Sequence, residues 1–304
     1  MLELCVTPSE EGQKVLKYLL RKSDGTKVFL YKLFRRKKIL VNKIQVKPDY
    51  ILKSGDIVSS ENLKEHSLKD KFKGISKRIS ILYMDKDIIA VDKDADISVH
   101  PDGKTGFENV LLEQLKAFLF SKGEDYSFLA PVHRIDKDTR GVTLFARNFE
   151  TARMLGEDFK SGNIIRIYLC LLEGILKKPI FVEADIIHSE KSRRVKVINK
   201  KINENIPDRD EWINKTFTLS KTISGTCFYP EKIINGKTLC KIEIFSGRHH
   251  QIRAISSAIG FPLSGDRIYG NQTQNKKQAL VCKRMIIKRK NLIIESRFNI
   301  ELKG

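Results

Sequence analysis

The sequence predicts an α+β protein in two unequal parts, a small unit over residues 1–60 and a larger domain over 79–304, joined by a linker at 61–78. Three observations predict this. Apolar residues recur at helical spacing twice before residue 40, as expected of short amphipathic helices. Beyond residue 79, short apolar strands are many and intervening helices few, which suits a mixed, mainly antiparallel β-sheet. Between the parts, ENLKEHSLKDKFKGISKR carries many charges and little apolar periodicity, which reads as a connecting segment.

In the first part, Val15, Leu16, Leu19 and Leu20 predict one helix, and Leu30, Leu33 and Phe34, after Gly25, predict a second. Ile39-Leu40-Val41-Asn42 follows, then an apolar and basic alternation, and Gly55-Asp56-Ile57-Val58 predicts a turn into a closing strand. Lys32, Arg35, Arg36, Lys37 and Lys38 fall within seven positions. Such a run is commonly a solvated face, but crowding at one helix end suits a grip on phosphates. In the second part, strands are predicted over 79–83, 88–91, 164–172, 239–245 and 292–300, and helices over 110–119 and 149–161. The basic, irregular stretch 185–225, with Lys191, Arg193, Arg194, Lys196, Lys200 and Lys201, predicts a hairpin and surface loops.

Composition narrows the partners. The net charge is +20 and apolar content is an ordinary 41%, so a polyanion such as structured RNA is the expected partner. No apolar run approaches the ~20 residues that span a bilayer, and MLELCVTPSEEG lacks the basic-then-apolar order of a secretory signal. A membrane partner is therefore not expected. The five cysteines are odd in number, scattered and without a CxxC pair. That argues against a disulfide framework and a zinc ribbon, and for a reducing cytoplasm. A monomer is the default expectation.

The densest chemistry lies in His133 to Gly141, HRIDKDTRG, with the apolar run Val142-Thr143-Leu144-Phe145-Ala146 directly behind it. That order predicts a polar loop at the lip of a buried strand, where the Asp136 carboxylate is aimed at a ligand. Five fixed letters in HRxDxxTxG arise by chance in such a chain about 10⁻⁴ of the time, so the pattern is specific.

This stretch resembles the active-site signature of the RluA-type pseudouridine synthases, usually HRLDxxTSG, in which the Asp is the indispensable catalytic residue. Two further segments follow in the family's order. Arg166-Ile167-Tyr168 with Gly174 resembles its K-x-Y…G element, and SGRHHQIRAISSAIGFPLSGDRIYG resembles its TGRxHQIR…GxPxxGDxxYG. The N-terminal part is similar to the S-four-type (αL) RNA-binding domain, in the version heading the RluC branch, VNKxxIKPxYxLxxGD. Val41-Asn42-Lys43, Lys47-Pro48-Asp49-Tyr50 and Gly55-Asp56 carry that match.

The resemblance implies the pseudouridine synthase fold and a reaction that breaks the N1–C1′ bond of uridine, turns the base and rejoins it through C5. It requires no cofactor and no metal. The target nucleotide has to be flipped out of its stack. Asp136 would be the catalytic carboxylate, attacking covalently or assisting glycal formation. Arg253 would pair with it, and Tyr168 would stack on the uracil as the candidate base for the C5 proton. Arg134 would enter the gap left by the flipped base, Thr139 would hold the loop, and Arg140 would add a cation beside it. Arg248 and Gln251 would contact RNA from a helix whose N-terminal amides face phosphate. Arg35, Arg36, Lys37, Lys38, Asn42 and Lys43 would do so from the N-terminal part. The implied partner is 23S rRNA or an assembling large ribosomal subunit.

Without the family, His249-His250 would suggest a metal, but adjacent helical residues point apart and no Cys or acid cluster accompanies them. The chain departs from the family where KPxG becomes Lys93-Asp94-Ala95-Asp96, TSG becomes Thr139-Arg140-Gly141, and LHA becomes Leu280-Val281-Cys282. These departures motivate an alternative, a non-catalytic RNA-binding or ribosome-assembly protein derived from the enzyme. A glycoside hydrolase using Asp136 and Asp138 ranks last, because residues i and i+2 rarely converge on one bond.

Overall fold

A computed structural model of the chain describes residues 2–23, 25–64, 79–101, 106–188, 194–216, 222–270 and 277–300. Most of the expected linker lies outside these residues, as do Lys191 and Arg193.

The N-terminal part builds its own core. Strands β1 (Leu2–Cys5), β2 (Leu40–Val41), β3 (Ile44–Gln45) and β4 (Ile57–Ser60) form a sheet in the order β1-β4-β2-β3. Helices α1 (Val15–Lys22) and α2 (Lys27–Arg35) pack on it, and Thr26 caps α2 by accepting from the Phe29 amide at 3.3 Å. Leu19, Leu30, Leu33, Phe34, Val41 and Val58 are buried together with Leu63, so the first residues of the expected linker belong to this core. Helix α2 ends at Arg35. Arg36, Lys37 and Lys38 occupy the exposed turn that follows, with Lys37 in the left-handed region. This part rests on the larger one through Arg21, whose guanidinium lies 4.6 Å from the Phe128 ring centroid.

Among the described residues, the larger part forms a sheet of eleven strands. Its main path runs β11-β10-β12-β13-β9-β14-β8-β6-β5. The members are β5 (Ile81–Met84), β6 (Ile88–Lys93), β7 (Ala130–Pro131), β8 (Arg140–Ala146), β9 (Ile164–Glu173), β10 (Ile180–Ile187), β11 (Lys196–Asn203), β12 (Ile223–Ile234), β13 (Lys237–Ile244), β14 (Leu280–Ile287) and β15 (Leu292–Glu295). Short β7 joins at β8 and β15 at β14. Every pairing is antiparallel except β14 with β8, so the expectation of a mixed, mainly antiparallel sheet holds. Helices α3 (Leu111–Ser121) and α4 (Phe149–Lys160) fall close to their predicted positions. The last strand stops at Glu295, five residues short of its predicted end.

The 185–225 stretch corrects the sequence expectation in part. The hairpin forms, as β10 with β11, but Arg209–Thr216 is a helix, α5, and not a surface loop. Its Trp212 and Ile213 are buried with Phe181, Cys227 and Phe245. Two adjacent apolar residues in RDEWINKT carry no 3.6-residue period, so only tertiary burial reveals this helix. Helix α6 is Gln251–Ala258.

Strand register lines up the elements that matter for function. Lys93 faces Gly141, Gly141 faces Cys282, and Cys282 faces Tyr168 across β6, β8, β14 and β9. Gly141 has φ +113, and a Cβ there would lie 2.2 Å from the Cys282 carbonyl oxygen. Gly141→Ala is expected to destabilise the protein by about 3 kcal/mol or more through backbone strain and collision. A urea midpoint lowered at unchanged slope is the check.

Candidate active site

Asp136 sits where β7 and β8 are joined by the motif loop. The loop turns tightly, with the Thr139 amide donating to the Asp136 carbonyl at 3.1 Å. Two buried side chains hold it. Lys93, 0% exposed, donates from Nζ to the carbonyls of Lys137 (2.9 Å), Ile97 (2.9 Å) and Asp94 (2.8 Å). Burial pushes its ammonium down to about 7, against the pull of Asp138, Asp136, Asp94 and Asp96. His133 anchors the other end, accepting the Leu144 amide at Nε2 over 3.0 Å where the β7–β8 ladder stops. Neither role is visible in the sequence, because both partners are backbone atoms.

The Asp136 carboxylate opens into a cleft of about 950 Å³ with an inner recess of about 70 Å³ beneath it. Arg253 on α6 donates from Nη1 to Asp136 Oδ2 at 3.0 Å, and from Nε and Nη2 to Asp266 at 2.8 and 2.9 Å. Asp266, itself buried, also accepts the amides of Ile268 and Tyr269. Burial opposes the charge on Arg253, yet its hydrogen bonds to Asp266 and the charge of Asp136 overcome it and raise its pKa. A permanently charged fork held on one side by Asp266 thus fixes the direction of Asp136 on the other. Tyr168 lines the recess from β9, and burial, with the neighbouring Cys282 thiol, pushes its phenol well above the usual value.

The other expected contacts divide. Arg134 and Arg248 line the cleft. Thr139 and Gln251 are buried. Gln251 is fully engaged within the protein, donating to the Gly225 carbonyl and Thr226 Oγ1 and accepting from Ser246 Oγ and the Arg248 amide. That last bond also occupies the Arg248 amide, one of those expected to face phosphate. Asn42, in the left-handed region, donates to Asp56 and accepts the Ile57 amide, which ties the β2–β3 turn to the start of β4. Lys43 is exposed beside it.

Two departures from the family motif meet. Arg140 Nε lies 3.0 Å from Asp94 Oδ1, and the Arg140 guanidinium is 5.1 Å from the Phe298 ring centroid. Asp96, where the motif has glycine, keeps φ +67. The pair is partly exposed, so a double-mutant cycle on Asp94 and Arg140 is expected to return about 0.5 kcal/mol of coupling.

His249 and His250 do not point apart. Their rings stack with centroids 3.8 Å apart, because His250 takes the left-handed conformation before α6 begins. Their ligand atoms and an Asp136 oxygen lie within 4.8 Å of one another. Geometry would accept a cation there, but the Arg253 guanidinium at 3.0 Å from Asp136 opposes one. Burial pushes His250 down to about 4, and its Nδ1 is 3.1 Å from the Tyr269 hydroxyl.

The carboxylate–arginine pair thus sits part-buried in a cleft beside a mixed sheet. The profile of the family described as RNA pseudouridylate synthase matches residues 87–258. The chain belongs to that family. It is an isomerase of this class, as its motifs implied. Two relatives, both called ribosomal large subunit pseudouridine synthase C, come from Haemophilus influenzae and Haemophilus ducreyi. The first is 29% identical over 90% of this chain and 80% of its own length. The second is 30% identical over the same shares. Among solved structures, human RNA pseudouridylate synthase domain containing 1 superposes with a TM-score of 0.56 at 19% identity, over 73% of this chain and 84% of its own. Human RNA pseudouridylate synthase domain containing 4 gives 0.57 at 15%, over 76% and 92%. These two similarities bear on the fold. Among the described residues, no helix is long and apolar enough to cross a membrane.

Proposed function

We propose that this protein converts uridine to pseudouridine in 23S rRNA, with Asp136 as the catalytic carboxylate. The observation that carries the reading is the 3.0 Å contact between Asp136 and Arg253 in a cleft of about 950 Å³, roomy enough for a flipped nucleotide. The rRNA target draws support from relatives that share the chain over nine-tenths of its length and are called large-subunit synthases. Uridine in a helix would be flipped into the cleft, with Arg134 at its entrance filling the vacated stack.

A phenol held protonated by burial is a poor base, so we assign Tyr168 to stacking and hydrogen bonding against the uracil. Asp136 is the one carboxylate lining the inner recess among the described residues, and we assign it removal of the C5 proton. We further propose that residues 1–60 act as an S-four-type docking unit, gripping rRNA through the exposed Arg35, Arg36, Lys37 and Lys38. The five free thiols suit a reducing cytoplasm, and we propose that the protein works there as a monomer.

The deciding experiment is carbodiimide labelling and primer extension on 23S rRNA and on tRNA after incubation with the protein. New stops on rRNA alone are expected. Stops on tRNA alone would overturn the target, and none on either RNA or on immature large subunits would favour a binding-only role. Glutamate at positions 35–38 is expected to flatten the fall of rRNA affinity with salt; an unchanged slope would remove the docking assignment.

A further inference from the structure

Arg166 is a buried cation without an anion. It is 8% exposed, lines both the cleft and the inner recess, and forms no ion pair among the described residues. Its Nη2 donates to the Ser246 carbonyl at 3.1 Å, while its Nε is buried with no acceptor. The guanidinium lies 5.2 Å from the Phe159 ring centroid. Opposite, Gly247 has no side chain to spare: a Cβ there would stand 2.6 Å from Arg166 Nη1.

Two other enclosed arginines of the larger part are neutralised by carboxylates. Arg253 has Asp266 and Asp136, and Arg209 has Glu243 at 2.9 Å. Arg166 has carbonyl and ring contacts, which stabilise a guanidinium far less than a carboxylate does. Holding a desolvated charge without its counter-ion is costly, and the fold concentrates that cost at the recess. Arg248 stands on the same wall, half-buried, its Nε donating to the Ile223 carbonyl at 3.1 Å and with no ion pair among the described residues. Among the described residues, the recess-lining Arg134, Arg166 and Arg248 form no ion pair, whereas Arg253 has two acids.

We propose that Arg166 and Arg248 form a phosphate subsite that holds one phosphodiester of the RNA backbone beside the recess, placing the flipped base over Asp136. The donor set fits that ligand. A guanidinium offers a planar fork to two phosphate oxygens, and Gly247 leaves room for the Arg166 guanidinium against the backbone. Arg166 is a binding and positioning residue here and takes no part in the bond change. The inference deepens the synthase reading and rests on it for the identity of the ligand, though the anion site itself does not.

Two measurements on the full chain separate these. In anion-free buffer, Arg166→Gln is expected to melt no lower than wild type, because it removes an unsatisfied charge. Added inorganic phosphate is expected to raise the wild-type Tm saturably and to leave Arg166→Gln unmoved, with Arg166→Lys between. An equal phosphate response in both proteins, or a Gln variant that melts well below wild type without anions, would overturn the site and leave Arg166 a structural link to Ser246. The second measurement is KM for RNA against salt. Loss of one phosphate contact is expected to flatten the logarithmic slope by about 0.7–0.9 and to raise KM more than it lowers kcat. An unchanged slope would overturn the backbone assignment. Phosphate binding that depends on Arg166, without turnover of any RNA, would keep the subsite and sink the synthase reading.

Discussion

Asp136→Asn is expected to lose pseudouridine formation by on the order of 10³-fold or more, as removal of an essential reacting group does, with fold and RNA affinity close to wild type. The reasons lie in the arrangement around it. Asparagine keeps the shape and one oxygen, so it still accepts from Arg253 Nη1. Arg253 also keeps both hydrogen bonds to Asp266, and no buried charge is left unpaired. What disappears is the negative charge facing the ribose and the ability to accept a proton. Arg253→Met is the informative contrast. It strands Asp266, fully buried, without its cation, and such a broken buried pair costs about 3–5 kcal/mol. The first variant should therefore lose turnover alone, and the second turnover and stability together. Carbodiimide stops, filter binding and a melting curve on each protein make the comparison. Asp136→Asn with more than a tenth of wild-type turnover would remove the residue from the chemistry.

Much of this site could be read in the chain because its chemistry is packed into contiguous letters. HRIDKDTRG before an apolar run placed a carboxylate at the lip of a strand, and the structure has that loop running into β8. The spacing of Val15, Leu19, Leu30 and Leu33 likewise located two helices, since burial of one face imposes a period on the sequence. What escaped is what depends on distant partners. Gln251 and Asn42 have the residue types of RNA contacts, and only the fold shows their polar atoms turned to backbone and side-chain partners inside the protein. The two histidines were judged by ideal helical geometry, which a single left-handed residue at His250 undoes. Arg140 and Asp94 read as separate anomalies because 46 positions part them. Arg166 stood for a familiar lysine, and nothing in a linear sequence reports that a cation has been buried without a counter-ion.

His133 gives the protein an acid limit of its own. Burial, reinforced by the nearby Arg166 charge, lowers its pKa to about 3, and its Nε2 lone pair is committed to the Leu144 amide. The native state therefore holds the imidazole neutral, whereas the unfolded chain protonates it near pH 6.5. Between those values the unfolded state binds the extra proton, so stability falls as the pH drops. The slope from this group approaches about 1.4 kcal/mol per pH unit, or roughly 2 kcal/mol between pH 6.5 and 5. His133→Gln places a non-titrating amide oxygen within reach of the same Leu144 amide. It is expected to cost little at pH 8 and to lose less stability than wild type on going to pH 5. His133→Phe removes the acceptor as well and leaves a buried amide unpaired, at about 1–3 kcal/mol across the whole range. Urea titrations at pH 8, 6.5 and 5 distinguish these curves. A glutamine variant that declines in parallel with wild type would show that the acid sensitivity arises elsewhere. A wild type that gains stability between pH 6.5 and 5 would contradict the sign itself.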